Sequence, residues 1–216
     1  MKMKDIAVFG AGGFGREVVC IINRINEDVP TWNFIGFFDD GVEKDTRISH
    51  HGIVLGGMEE INSYDKELCL VIAIGRPQSL KGVRERITNK KISFPNIIHP
   101  SIRISDIATF KIGEGNIIQA NSSFSCDVTI GNFNVLNGQV GLGHDDQIGN
   151  YNVIMPAVRI SGEVTMGNEN FFGVGSIVLQ QIKIGNNIRL GAGSVLMRKP
   201  KDGFLYIGNP ARKVEL

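Results

Sequence analysis

From residue 112 to residue 196 every sixth position is apolar: Ile112, Ile118, Phe124, Ile130, Leu136, Leu142, Ile148, Ile154, Ile160, Met166, Phe172, Val178, Ile184, Leu190 and Leu196. With 42% of the chain hydrophobic, chance would give such a run roughly twice in a million trials. Neither a helix, with its period of 3.6, nor an ordinary strand, with its period of 2, produces it. A coil of short flat faces does, with six residues to a face and one inward residue per face building a continuous apolar column. A second period lies on the first. Gly113, Gly131, Gly149, Gly167 and Gly185 are spaced by 18, as are Asn116, Asn134, Asn152 and Asn170. Three faces therefore make one turn. The expectation for these residues is corner duty, glycine for tight bends and asparagine for left-handed backbone angles.

The first hundred residues obey a different pattern. Ile6–Phe9 reads as a buried strand that runs at once into Gly10-Ala11-Gly12-Gly13-Phe14-Gly15. Residues 16–26 carry apolar side chains at helical spacing. A second strand over 34–38 ends in Asp39-Asp40, and a third over 69–74 ends in Gly75-Arg76-Pro77, with a helix expected over about 78–89. This order predicts a small parallel α/β sheet of Rossmann-like type over residues 1–100, followed by a parallel β-helix over 101–216.

The glycine run fits G-x-G-x-x-G between a strand and a helix, with Asp39 further on, near where a dinucleotide fold holds a ribose. A full two-lobed dinucleotide domain needs more than the first ~100 residues, so hydride transfer from a nicotinamide is disfavoured. A half-sized version can hold a mononucleotide. Backbone N–H groups of Gly12, Gly13 and Phe14 would then meet phosphates at a helix N-terminus, Asp39 and Asp40 would take hydroxyl and amide donors of ribose or base, and Gly75 and Arg76 would complete the pocket. The net charge is +1, from 23 basic and 22 acidic side chains, which gives no support to nucleic acid or a membrane surface as partner. No apolar run approaches the roughly 20 residues needed to span a bilayer. Cys20, Cys69 and Cys126 are far apart and odd in number, which predicts reduced thiols, a cytoplasmic setting and no metal pair.

The six-residue repeats, the leading GAGGFG, FFDD, AIG-R, GHDDQIG inside the coils and a closing GNPAR together resemble the NeuD/PglD-like sugar O- and N-acetyltransferases of bacterial surface-glycan pathways, across residues 5–213. The resemblance implies a left-handed β-helix, a homotrimer, acetyl-CoA in grooves between neighbouring helices, and a nucleotide-linked amino sugar as acceptor. It places a general base at His144, its acidic partner at Asp145, an acceptor contact at Asn137, a thioester contact at the Gly162 N–H, and the pantetheine groove at Val174 and Ala192. Some relatives have a second histidine where Val153 stands and a glycine where Ala192 stands.

The residues support the same chemistry on their own terms. Acetyl transfer needs a base for the acceptor proton and a donor for the developing oxyanion. Of the four histidines only His144 lies among the coils, where its 18-residue neighbours are Cys126, Gly162 and Gln180. Two carboxylates stand beside it as possible partners. Asp145 shares its column with Asp127 and Glu163, whereas Asp146 sits among Val128, Val164 and Ile182, where a carboxylate is costly unless it is paired or faces water. N-acetylation of a 4-amino sugar nucleotide leads, with O-acetylation of a sialic-acid-type sugar served by the same residues. A non-catalytic sugar-nucleotide sensor is disfavoured by the His-Asp pair. A zinc lyase would need about three converging histidines, so no metal is expected.

Overall fold

The computed structural model describes residues 3–214, which form two compact units divided between Pro100 and Ser101.

In the first unit, strand β1 (Lys4–Phe9) lies between β2 (Trp32–Phe38) and β5 (Leu68–Ile72), and β6 (Ile92–Ser93) extends the sheet beyond β5, all parallel. Helix α1 (Gly13–Asp28) follows β1 and buries Val18, Val19, Ile21 and Ile22. Each such aliphatic side chain removed from water contributes about 1.5–3 kcal/mol. Helix α3 (Pro77–Arg86) begins with Pro77, whose fixed φ suits a first turn. The expected strands and helices are present with shifted ends. A short antiparallel hairpin, β3 (Arg47–Ile48) and β4 (Gly52–Ile53), and the five-residue helix α2 (Met58–Asn62) were not anticipated. Their segments are too short to carry a period. The chain leaves β1 for β2 on one side and crosses back for β5 on the other. The ends of β1 and β5 thus flank a topological switch point, where parallel sheets commonly bind ligands.

The second unit is the three-faced parallel β-helix, of the left-handed kind. Two-residue strands stack at 18-residue spacing into three sheets: Ile118 over Leu136, Ile154, Phe172 and Leu190 on the first face; Phe124, Leu142, Ile160, Val178 and Leu196 on the second; Ile112, Ile130, Ile148, Met166 and Ile184 on the third. A short antiparallel pair, Leu205–Gly208 with Ala211–Lys213, ends the stack.

The corners are not built as the sequence suggested. The left-handed backbone falls three residues past each inward apolar residue, and non-glycine residues mostly fill it: Asn121, Asp127, Phe133, Gln139, Asp145, Tyr151, Ala157, Glu163, Glu169, Gln181 and Asn187. Such a conformation costs roughly 1–2 kcal/mol for an L-residue. Here the N–H of the strained residue is caught by an oxygen of the previous coil, the Ser101 and Thr109 hydroxyls for Asn121 and Asp127 and a backbone carbonyl elsewhere, as in Gln139 to Ala120, Asp145 to Cys126 and Glu163 to His144. The stacked glycines have ordinary angles and serve close approach instead. A Cβ on Gly131 would lie 2.6 Å from the Gly149 carbonyl oxygen.

The asparagines do not bend the chain either. Asn116, Asn134, Asn152 and Asn170 are fully buried, and each passes its side-chain oxygen to the backbone N–H of the residue 18 positions on. A second ladder, of Asn132, Asn150, Asn168 and Asn186, flanks the same corner. There the acceptor lies on the later coil: Asn132 N–H to Asn150, Asn150 N–H to Asn168, Asn168 N–H to Asn186.

Candidate active site

His144 sits at the corner between the second and third faces, two residues past the inward Leu142. Its carbonyl accepts from the Glu163 N–H at 2.8 Å, and the next residue, Asp145, is held in the left-handed conformation (φ 61°). That pinned turn throws both side chains outward, and about half of each is exposed. Imidazole Nδ1 lies 2.7 Å from Asp145 Oδ2. The hydrogen bond to that carboxylate raises the histidine's pKa above its ordinary 6.5, helped by the charges of Asp145, Glu163 and Asp146. An acceptor at Nδ1 fixes the proton there in the neutral ring and leaves the Nε2 lone pair for a substrate.

Directly above His144 in the stack is Gly162. A Cβ there would fall 2.6 Å from Nε2 and 2.8 Å from Cε1, so only glycine lets the ring lie flat on the coil. Gly162 is buried, and its N–H has no acceptor among the described residues. Gly143 was missed by sequence reasoning. A Cβ on it would lie 2.4 Å from the Gly162 nitrogen, so a side chain there would force the two turns apart. The signal was present, because Gly143 stands outside the 18-residue glycine column.

The choice between the two carboxylates is resolved by geometry. Asp146 does not face solvent and does not bond the imidazole. It is fully buried at the inward position that valine or isoleucine fills in neighbouring coils. Its Oδ2 accepts from the Gly143 N–H and its Oδ1 from the Val164 N–H, each at 2.9 Å. Burial pushes its carboxyl up to about 7 against the pull of those two N–H groups.

Val174 and Ala192 are exposed, one above the other, on the corner between the first and second faces. Asn137, the residue expected to contact the acceptor, lies on that same corner. It is nearly buried, donates to the Ile154 carbonyl at 3.0 Å and accepts from Gln119 at 3.1 Å. The predicted residues of the coils therefore occupy two different edges of one prism.

In the first unit the glycine loop behaves as its pattern requires. A Cβ on Gly10, at φ 108°, would lie 2.8 Å from the Ala73 oxygen, and one on Gly15 would lie on top of the Gly10 carbonyl, so these two close the turn and seat the helix on the strand. A Cβ on Gly12 would meet nothing within 4 Å. Gly12 and Gly13 are exposed, Phe14 is half-buried, and Gly75 and Arg76 are exposed at the end of β5. Asp39 and Asp40, expected to take hydroxyl and amide donors of a ligand, each already accept one internal donor per oxygen. Asp39 accepts from the Ala11 and Gly41 N–H groups, both at 2.8 Å. Asp40 accepts from the Met58 N–H at 2.8 Å and pairs with Arg86 at 2.9 Å. A cavity of about 350 Å³ adjoins Asp39, Asp40, Lys44, Gly57 and Arg86 and does not reach Gly12 or Arg76. Among the described residues no group of three or more His, Cys, Asp or Glu could hold a metal ion, and no helix is long and apolar enough to cross a membrane.

Comparison with known proteins agrees with this architecture. The family described as the PglD N-terminal domain matches residues 5–90. No curated protein sequence matches the chain. The acetyltransferase domain of PglB from Neisseria gonorrhoeae FA1090, solved with acetyl coenzyme A, is 24% identical with a TM-score of 0.87, over 99% of this chain and 100% of that one. WeeI from Acinetobacter baumannii AYE is 24% identical with a TM-score of 0.86, over 99% and 100%. A mutant perosamine N-acetyltransferase from Caulobacter crescentus, in complex with CoA and GDP-perosamine, is 26% identical with a TM-score of 0.82, over 99% and 98%. The chain thus matches the PglD N-terminal domain family over residues 5–90 and is similar along its whole length to sugar acetyltransferases such as that perosamine N-acetyltransferase.

Proposed function

We propose that the protein transfers the acetyl group of acetyl-CoA to the amine of a nucleotide-linked 4-amino sugar. The observation that carries this reading is the His144–Asp145 pair lying against Gly162: a half-exposed imidazole with Nδ1 tied to a carboxylate and Nε2 open. In the reaction the amine nitrogen attacks the thioester carbonyl carbon and gives its proton to His144 Nε2. The tetrahedral oxyanion takes the Gly162 N–H as donor. The carbon–sulfur bond then breaks, and the imidazolium returns the proton to the departing CoA sulfur. Asp145 holds the ring and stabilises its charged form, the division of labour found in other base–carboxylate pairs. The exposed Gly12–Gly13 turn and the Gly75–Arg76 turn at the switch point are the proposed seat of the nucleotide diphosphate.

Val174 and Ala192 lie on a different edge from His144. A pantetheine arm along those two residues reaches a His144 most simply when that histidine belongs to a second copy of the protein. This supports a homotrimer with acetyl-CoA between neighbours. His144→Ala should lower turnover by about 10²–10⁴-fold while leaving the oligomer intact, read as CoA release with a UDP- or GDP-linked 4-amino sugar. A loss under threefold would remove His144 from the role of base. Release of CoA with sialic acids and not with amino-sugar nucleotides would replace N-acetylation by O-acetylation.

A further inference from the structure

The structure assigns Asp146 a place in the site that neither the repeat nor the His-Asp pair requires: we infer that its buried carboxylate is a positioning residue that sets the spacing between His144 and Gly162. The inference rests on the proposed acetyl transfer. Its two oxygens grip the two turns that meet at the reacting centre. Oδ2 accepts from Gly143, the residue before His144, and Oδ1 accepts from Val164, two residues after Gly162. The other positions of that column need no such anchor, since Val128, Val164 and Ile182 fill it with hydrocarbon. A Cβ on Gly143 would strike the Gly162 backbone, and one on Gly162 would strike the His144 ring. A small slide between these turns would move the imidazole off Gly162, and displacements of this order cost rate steeply.

The grip depends on charge. An ionised carboxylate offers both oxygens as acceptors, whereas a protonated one turns an oxygen into a donor facing an N–H. Burial brings this proton within the working range. The charged groups that act on Asp146 are His144 and Asp145 on its own turn, and Glu163 on the next coil acts on His144. Activity then needs two deprotonations, of His144 and of Asp146, and the acid limb of kcat/KM is steeper than one proton allows.

The test compares wild type, D146V, D146N and H144A. Valine is native to this column, and asparagine fills the equivalent inward position on the neighbouring corner at Asn134 and Asn152, so both variants are compatible with the coil. The expected result for both is a kcat about tenfold lower, the size of a lost orienting contact. KM for acetyl-CoA should stay within about twofold, because the groove residues are untouched. The acid limb should fall from a two-proton to a one-proton slope, and the thermal midpoint at the assay pH should not fall. The His144 imidazole resonances in a 15N spectrum, read without substrate, should shift in D146V. Unchanged kcat and slope in both variants would overturn the inference, as would a kcat loss that follows the thermal midpoint with no change in slope or resonance. If H144A is as active as wild type, the role of His144 as base fails by itself, and the imidazole resonances still report whether Asp146 holds the ring.

Discussion

At the scale of single residues, the site depends on which carboxylate touches what. Asp145 bonds the imidazole from outside and raises its pKa. Because the base works in its neutral form, activity rises with pH through that raised value. Asp145→Asn removes the carboxylate, so the acid limb of kcat/KM should move to lower pH while the plateau falls by about tenfold or more. A limb that stayed in place would show that Asp145 does not set the histidine's proton affinity. Asp146 acts in the opposite sense on stability. Its folded pKa lies above that of the unfolded protein, so the native state holds its proton longer. The resulting stability is fully present below the ordinary carboxyl value of 3.8 and is lost as pH rises to about 7. Chemical denaturation of D146V against wild type at pH 5 and pH 8 should therefore favour the variant more at pH 8. Sequence alone placed both acids beside His144, in columns of different character, and left open which of them is its partner. They differ only by backbone angle, and a single left-handed residue sends one outward and the next inward.

At the scale of elements, the glycine loop contains two kinds of glycine that a motif writes with one letter. Gly15→Ala forces a Cβ onto the Gly10 carbonyl, and the unit should lose its cooperative unfolding transition or melt well below wild type. Gly12→Ala meets open space, should melt within a few degrees of wild type, and should raise KM for the nucleotide sugar. Equal effects on both measurements would place Gly12 in the packing and not in the binding surface. The elements themselves were readable because their periods are long: fifteen apolar positions for the coils, and one helical stripe for α1. The corner mechanism was not. Glycine and asparagine suggested left-handed bends, yet phenylalanine, tyrosine, glutamate and glutamine take those angles, because each gains a carbonyl from the previous coil. The second asparagine ladder shares the 18-residue spacing of the first and was legible in principle. The roles proposed for Asp39 and Asp40 could not be checked from sequence, since their donors lie on segments as remote as Arg86.

At the scale of the whole molecule, the separation of the candidate residues onto two edges makes a prediction that a single copy cannot satisfy. A protomer with His144→Ala and a protomer with Ala192→Trp should each be nearly inactive when expressed alone. Expressed together, they should regain activity if a site joins one edge from each of two copies, since random assembly of a cyclic trimer makes about a quarter of the sites whole. Activity no higher than the sum of the two alone would mean that each site lies within one copy, or that the groove runs elsewhere.

The paired asparagine ladders have a consequence for that site. In the ladder through Asn134 the amide carbonyls of the side chains point towards later coils, and in the ladder through Asn150 they point towards earlier ones. Their dipoles oppose one another along the axis. Aligned peptide dipoles give an α-helix a positive and a negative end, but these two amide rows give the prism neither. The coil on which the histidine sits therefore makes no electrostatic difference through them. Its proton affinity is set by its immediate neighbours and not by its height along these two rows.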